Sequence, residues 1–188
     1  MNSKSFNNKY PDDFKCCNQA HCCPGHPLAT KSILACGQGS GFAIPVSAPY
    51  PIPVASANID TTCLCKPKIK IDFNSIINYQ ALITLTGTLV PILANAFTIT
   101  FQLSKTCCDG SKISLGSWDY GFGSVALTTN ITNSFGFSYC ECNPCPGCCV
   151  YTVDIIRATG GILTPTAITL TENASIRSSI LTIIASSN

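Results

Sequence analysis

The sequence predicts an all-β protein, a jelly-roll-like β-sandwich of about eight to nine strands with a flexible, cysteine-rich N-terminal arm. Two observations predict the sandwich. Short stretches with the two-residue alternation of β-strands recur along residues 61–188, separated by turn residues, and no stretch has a sustained helical period. A third observation predicts the arm, because five of the 14 cysteines precede residue 37.

Residues 1–41 are predicted to form a connector arm that ends in a glycine hinge at residues 37–41. A compact domain rarely places so many thiols on an unstructured segment. We therefore interpret the arm cysteines as thiols that form disulfides with another copy of the chain. These intersubunit candidates are Cys16, Cys17, Cys22, Cys23 and Cys36.

Residues 42–60 are rich in proline, at positions 45, 49, 51 and 53. This spacing favours extended backbone and excludes a central strand, because proline cannot donate a ladder hydrogen bond. The segment is interpreted as a semi-rigid spacer or an edge segment that lies against the domain.

Residues 61–188 are predicted to form the sandwich domain. Between residues 68 and 73, isoleucine and phenylalanine alternate with lysine and aspartate, which is typical of a half-buried strand. Turn residues such as Gly110, Gly121 and Asn130 separate the segments. The predicted strands lie near residues 66–73, 80–87, 97–103, 112–119, 123–129, 134–142, 149–157, 165–171 and 176–185.

The composition excludes several classes of function. Charged residues make up 11% of the chain, against about 25% in ordinary soluble proteins, which favours packing between copies. The net charge is +2 and the lysines are scattered, so no basic stripe indicates nucleic acid. No apolar run is long enough to cross a bilayer, so no membrane partner is expected.

Fourteen cysteines indicate either a disulfide framework or a metal protein. Disulfides need an oxidising environment, yet residues 1–15 lack the apolar core of a secretory signal. We therefore expect the chain to leave the cell without a signal peptide, or to be oxidised after the producing cell lyses.

The distribution of histidine argues against an enzyme. The chain has two histidines, His21 and His26, and both lie in the arm rather than in the domain. A catalytic nucleophile needs a base held on a rigid frame, and the domain offers neither a Ser-His-acid set nor a Cys-His pair. We expect no catalytic residues and no cofactor.

Metal binding is the main alternative, because the cysteines between residues 140 and 149 form a CxCxxCxxCC array whose Cys145 and Cys148 have a spacing that zinc can use. Two arguments favour disulfides instead. The apolar strands suffice for a core without a metal, and neighbouring cysteines on extended backbone point to opposite faces, which suits one ion poorly. No metal ligands are therefore assigned.

Disulfide geometry restricts the pairing of the cysteines. A bond between neighbouring cysteines closes a strained ring, so the members of each Cys-Cys pair should take different partners. Cys140 and Cys142, two residues apart, should share one face of a strand. The acceptor or internal candidates are Cys63, Cys65, Cys107, Cys108, Cys140, Cys142, Cys145, Cys148 and Cys149.

Three cysteine-bearing runs resemble an uncharacterised cysteine-rich family of anaerobic spore-formers: residues 63–73 (CLCKPKIKIDF), 101–110 (FQLSKTCCDG) and 140–153 (CECNPCPGCCVYTV). The plan of the chain is also similar to the endospore appendage pilins. Those are jelly-roll subunits whose N-terminal connector carries a Cys-Cys pair and bonds to earlier subunits of a helical fibre.

The resemblance implies a structural subunit that polymerises with itself, and possibly with related subunits, into a disulfide-linked fibre on the spore surface. It makes Cys16 and Cys17, or Cys22 and Cys23, the connector thiols. Their acceptors would then lie among Cys36, Cys107, Cys108 and the array at residues 140–149. Release of the protein when the mother cell lyses would account for the missing signal. A zinc-binding protein and a monomeric spore-coat protein are the alternatives.

Overall fold

A computed structural model of the protein describes residues 31–45, 49–64, 66–85, 97–107, 110–122, 128–142, 144, 147–160 and 168–187. Within these ranges every regular element is a β-strand, and nine strands form two antiparallel sheets. The prediction of an all-β sandwich is therefore confirmed.

The strands are β1 (Ser32–Gly39), β2 (Phe42–Ile44), β3 (Ile52–Asp60), β4 (Lys68–Leu85), β5 (Phe97–Thr106), β6 (Lys112–Phe122), β7 (Thr128–Cys142), β8 (Cys148–Thr159) and β9 (Ile168–Ser186). Sheet A has the order β1-β9-β4-β7, and β2 also pairs with β9. Sheet B has the order β3-β8-β5-β6. From β2 onwards, every connection except β5–β6 crosses from one sheet to the other, as in jelly rolls.

The core lies between the sheets and is built from alternate residues of the long strands. In β4, Ile71 and Phe73 point inward and are at most 1% exposed, whereas Lys70, which precedes them, faces solvent. The opposing sheet contributes Phe101 and Tyr151, which are both fully buried. Burial of each such large side chain stabilises the fold by about 1.5–3 kcal/mol.

Aromatic rings close the side of the sandwich formed by β6 and β7. Trp118 of β6 stacks on Phe137 of β7, with ring centroids 3.9 Å apart. Phe135 of β7 stacks on Phe101 of β5 at 4.9 Å. These contacts join the two sheets where their outer strands meet.

The glycine hinge expected at residues 37–41 is wrong, because β1 runs to Gly39 and pairs with β9 along its length. A Cβ atom on Gly37 would lie 1.7 Å from the backbone oxygen of Ser56 in β3. Glycine is needed there because β1 of sheet A approaches the backbone of β3 in sheet B. Residues 32–41 of the expected arm thus belong to the domain, and residues 1–30 lie outside the described part.

The proline-rich segment at residues 42–60 contains β2 and β3, so the domain does not begin at residue 61. Among the described strands, β3 is an outer strand of sheet B and pairs with β8 alone. Its register shifts between Pro53 and Ala55, where a proline interrupts the ladder.

Several predicted strands are parts of longer ones. The segments at 66–73 and 80–87 overlap β4, those at 123–129 and 134–142 overlap β7, and those at 165–171 and 176–185 overlap β9. Asn78, which lies in the gap expected within β4, instead donates hydrogen bonds from Nδ2 to Asn130 Oδ1 (3.2 Å) and Thr132 Oγ1 (3.0 Å) of β7. These cross-strand bonds keep a polar residue inside a continuous strand.

Candidate functional site

The strand order brings most of the domain cysteines to one end of the sandwich. β3, β5 and β7 end there and β4, β6 and β8 begin there, because short connections join these antiparallel strands. We call this region the cysteine end. Its described cysteines are Cys63, Cys107, Cys140, Cys142, Cys148 and Cys149.

Hydrogen bonds fix two connections to each other at the cysteine end. Thr61, which follows β3, donates its backbone N–H to the carbonyl oxygen of Gly147 (2.9 Å), which precedes β8. The Gly147 N–H donates in return to Thr61 Oγ1 (3.1 Å). Leu64 is fully buried and its N–H donates to the Thr61 carbonyl (2.9 Å), so the β3–β4 turn is anchored in the core.

A disulfide joins Cys107, just after β5, to Cys149 at the start of β8. It closes a chain separation of 42 residues, and Cys149 is 4% exposed. Both half-cystines therefore form an internal bridge. In the chain-entropy account, closing a loop of this length stabilises the fold by about 4 kcal/mol.

A polar cluster that the sequence analysis missed lies beside this disulfide. Lys105 of β5 is 8% exposed, and its Nζ lies 2.7 Å from Glu141 Oε1 of β7. The hydroxyl of Tyr151 in β8 donates to Glu141 Oε2 (2.8 Å). Burial, together with the Glu141 charge, raises the pKa of Tyr151 far above its ordinary value. The cluster ties sheet B to sheet A at the cysteine end.

The two-residue alternation contains a signal for this cluster. Phe101 and Leu103 face the core, so Lys105, two residues after Leu103 on the same strand, also points inward. Glu141, four residues after Phe137 in β7, lies on the same inward face of its strand. A lysine and a carboxylate at inward positions of two different strands indicate an internal ion pair, since an unpaired buried charge is costly.

Three exposed cysteines lie on the outer face of sheet A. Cys140 and Cys142 share this face of β7, as their two-residue spacing predicts, and Cys36 lies on it in β1. In register, Lys70 of β4 lies beside Cys140, and its ammonium forms an ion pair with Asp72 at 2.9 Å. The hydrogen bond to Asp72 is the main cause that raises the pKa of Lys70.

Apolar side chains separate these thiols on the same face. Leu34 of β1 is 65% exposed and lies opposite Ile184 of β9, which is 40% exposed. Ile180, four residues before Ile184 on the same face of β9, is 36% exposed. The outer face of sheet A therefore carries a partly apolar surface with thiols on both of its outer strands.

The remaining cysteine candidates are distributed as follows. Cys63 is exposed in the β3–β4 connection, and Cys148 is exposed at the start of β8. Cys36 lies within β1 rather than on an arm, which corrects its expected position. The candidates outside the described residues are Cys16, Cys17, Cys22, Cys23, Cys65, Cys108 and Cys145.

Within the described ranges, no three His, Cys, Asp or Glu side chains lie close enough together to hold a metal ion. Both histidines fall outside these ranges. No helix long and apolar enough to span a bilayer occurs in the described part of the chain.

Among solved structures, the chain is similar to the Eiger TNF of S. frugiperda, with a TM-score of 0.40 and 14% identity over 81% of this chain and 91% of that chain. It is also similar to a chain of the infectious bursal disease virus Gx strain, with a TM-score of 0.34 and 12% identity over 84% of this chain and 39% of that one. No curated protein sequence matches the chain. The model of a family described as a domain of unknown function (DUF4489) matches residues 30–176, and the chain belongs to this family.

Proposed function

We propose that the chain is a structural subunit that polymerises through disulfides into an extracellular fibre, as in an endospore appendage. The observation that carries the proposal is the cysteine end, where exposed thiols lie close to the point at which residues 1–30 join the fold. Lys31 is fixed there, because its carbonyl oxygen accepts a hydrogen bond from the Ser187 N–H (3.1 Å).

The N-terminal segment is long enough to reach another copy. Cys16 is 15 residues from Lys31 and can lie at most about 50 Å from it when the chain is extended, and Cys23, eight residues away, at most about 27 Å. These distances are sufficient for the four cysteines to meet thiols of another copy that packs against the cysteine end.

The outer strands of sheet A support lateral contact between copies. β7 presents a 15-residue strand with no lysine, arginine or proline, and Glu141 is its one charged residue. At the opposite edge, β1 carries no charged residue. Long outer strands with no proline and at most one charged residue favour pairing with another chain.

The surface between the thiols supports the same proposal. Leu34, Ile184 and Ile180 expose apolar area on the outer face of sheet A, beside Cys36 of β1. Covering this area by another copy would place sulfurs of the two chains close together. An open head-to-tail contact repeated in this way produces a fibre rather than a closed dimer.

Non-reducing gels and negative-stain microscopy of the full chain test the proposal. We expect a ladder of multimers that collapses with reductant, and filaments in the micrographs. Replacing Cys16, Cys17, Cys22 and Cys23 with serine should abolish the ladder. The matched control replaces Cys107 and Cys149, which are bonded within the chain, and should keep the ladder. A ladder that survives the first set of substitutions, or a monodisperse oxidised wild-type chain, contradicts the proposal.

A further inference from the structure

A grid of amide and hydroxyl side chains covers the outer face of sheet A in the half remote from the cysteine end. The register aligns three rows of three residues across β9, β4 and β7. Eight of these nine residues are Asn, Gln, Ser or Thr. We call the grid the amide patch. In the order β9, β4, β7, its first row is Ser175, Asn78 and Thr132, its second row is Asn173, Gln80 and Asn130, and its third row is Thr171, Leu82 and Thr128.

Side-chain hydrogen bonds hold the base of the patch in place. Asn78 is 6% exposed, and its Nδ2 donates to Asn130 Oδ1, as does Gln80 Nε2 at the longer distance of 3.5 Å. By contrast, Asn173 makes no side-chain hydrogen bond within the described part of the chain and is exposed. A rigid polar floor thus presents outward-facing amides and hydroxyls.

The patch is concave. Two adjoining depressions, of about 490 Å³ and 390 Å³, share Gln80 and Asn173. The first is bounded by residues 43–45 at the end of β2, and the second extends to Thr128 of β7. Together they form a shallow groove that crosses the sheet.

The groove has little charge. The carboxylate of Glu172, on its wall, accepts a hydrogen bond from the buried Tyr79 hydroxyl. Among the residues that the structure describes, Arg177 is the one cation that lines either depression. A phosphate-rich ligand would need a cluster of cations, so the groove does not suit nucleic acid or phosphate.

We propose that the amide patch is a binding site for a neutral carbohydrate chain. Vicinal hydroxyls of a sugar both donate and accept hydrogen bonds, and amides and hydroxyls provide both functions without charge. Leu82, 49% exposed in the last row, offers an apolar contact for the C–H face of a sugar ring. An extended groove suits an oligosaccharide rather than a single sugar.

This site lies apart from the thiols of the proposed fibre contact. Along β4, Gln80 is twelve residues from Lys68, a distance of about 40 Å in a strand. Bonding at the cysteine end alone therefore leaves the amide patch exposed. Ile180, the apolar residue of the proposed contact that lies nearest to the patch, is opposite Asn74 of β4, six residues or about 20 Å from Gln80. Its failure to bind sugar would leave the proposed polymerisation unaffected.

Isothermal titration calorimetry of the full chain with cellohexaose, chitohexaose and maltohexaose tests the proposal. We expect saturable binding of at least one hexasaccharide with Kd below about 1 mM. Gln80→Ala and Asn173→Ala should each weaken it about tenfold, since each removes hydrogen bonds to the ligand. Gln38→Ala, an exposed amide on β1 outside the patch, is the matched control and should leave Kd unchanged.

Two results of this titration would overturn the carbohydrate proposal. Absence of saturable heat with all three sugars at 10 mM, a concentration about ten times the expected Kd, overturns the proposal. Binding that Gln80→Ala and Asn173→Ala leave unchanged places the sugar elsewhere and also overturns it. If these substitutions alter assembly and no sugar binds, the patch is a contact between copies. Thermal unfolding of each variant establishes that the fold is intact.

Discussion

Tyr151 illustrates how a single residue connects the core to the cysteine end. Its ring is fully buried, and Lys105 Nζ lies 5.8 Å from the ring centroid. Its hydroxyl is the donor to Glu141, so the phenol is needed in its neutral form. Loss of that proton would place two anions side by side in a buried site, which low local dielectric makes costly.

The first prediction concerns stability at alkaline pH. Burial, with a neighbouring carboxylate, raises the pKa of Tyr151 and of Tyr79 above the ordinary value of 10. A tyrosine whose folded pKa is raised stabilises the fold fully below pH 10, and this stability is lost as the pH rises towards the folded pKa. The loss should be about 1.4 kcal/mol per pH unit for each tyrosine. Tyr151→Phe should make the decline shallower.

Absorbance at 295 nm and circular dichroism, recorded together on protein with alkylated free thiols, measure this effect. Two of the six tyrosines should ionise only when the fold is lost. Ionisation of all six phenols near pH 10 with an unchanged dichroism spectrum would contradict the prediction.

At the scale of the element, β1 is the strand on which sequence and structure differ most. Its alternation is weak, and four of its eight residues are glycine, alanine or serine, which also suit a hinge. What makes it a strand is tertiary: β9 supplies the ladder, and β3 leaves no room for a side chain at Gly37 or Gly39. Neither contact is encoded locally, so the hinge prediction failed.

The second prediction follows from that close approach. Gly37→Ala should push β1 away from β3, because the added Cβ would lie 1.7 Å from the Ser56 backbone oxygen. The expected cost is about 1–3 kcal/mol, as for overpacked sites. Hydrogen exchange should accelerate in β1 while the amides of β5 stay protected.

Gly121→Ala in β6 is the matched control, since the nearest atom to its added Cβ, the Phe97 oxygen, is 3.9 Å away. It should change the unfolding temperature little. Equal effects of the two substitutions would show that β1 does not depend on glycine at position 37.

For the whole molecule, residue spacing predicted the sandwich and part of the disulfide pattern. Cys148 and Cys149 illustrate both the success and the limit. Successive side chains on β8 point to opposite faces, so one is exposed and the other buried, as expected for a Cys-Cys pair. The partner of Cys149 depends on β5 lying beside β8, which turn spacing does not specify.

The same limit applies to the amide patch. Its residues come from three strands far apart in sequence. Along each strand alone, they are simply the polar residues at every second position that any strand with one solvent-exposed face carries. The grid exists because the registers of β9, β4 and β7 align the three rows. The residue types along one strand therefore predict a solvent-exposed face, whereas the groove depends on how the three strands are aligned.

The third prediction separates stability of the subunit from its assembly. Replacing Cys107 and Cys149 with serine opens the 42-residue loop and should destabilise the fold by about 3–4 kcal/mol. For a domain of this size the unfolding temperature should fall by about 10 °C. Cys63→Ser is the control, because this exposed cysteine lies outside the disulfide and should leave the temperature unchanged.

Differential scanning calorimetry in non-reducing buffer gives the unfolding temperatures of the three chains. Because both sulfurs of the Cys107–Cys149 bridge are used within one domain, the double variant should polymerise like the wild type below its lowered unfolding temperature. Loss of the ladder in a folded double variant would show that these two sulfurs also form links between copies. An unchanged unfolding temperature would instead show that the sandwich core and the Lys105–Glu141 pair hold the cysteine end without the bridge.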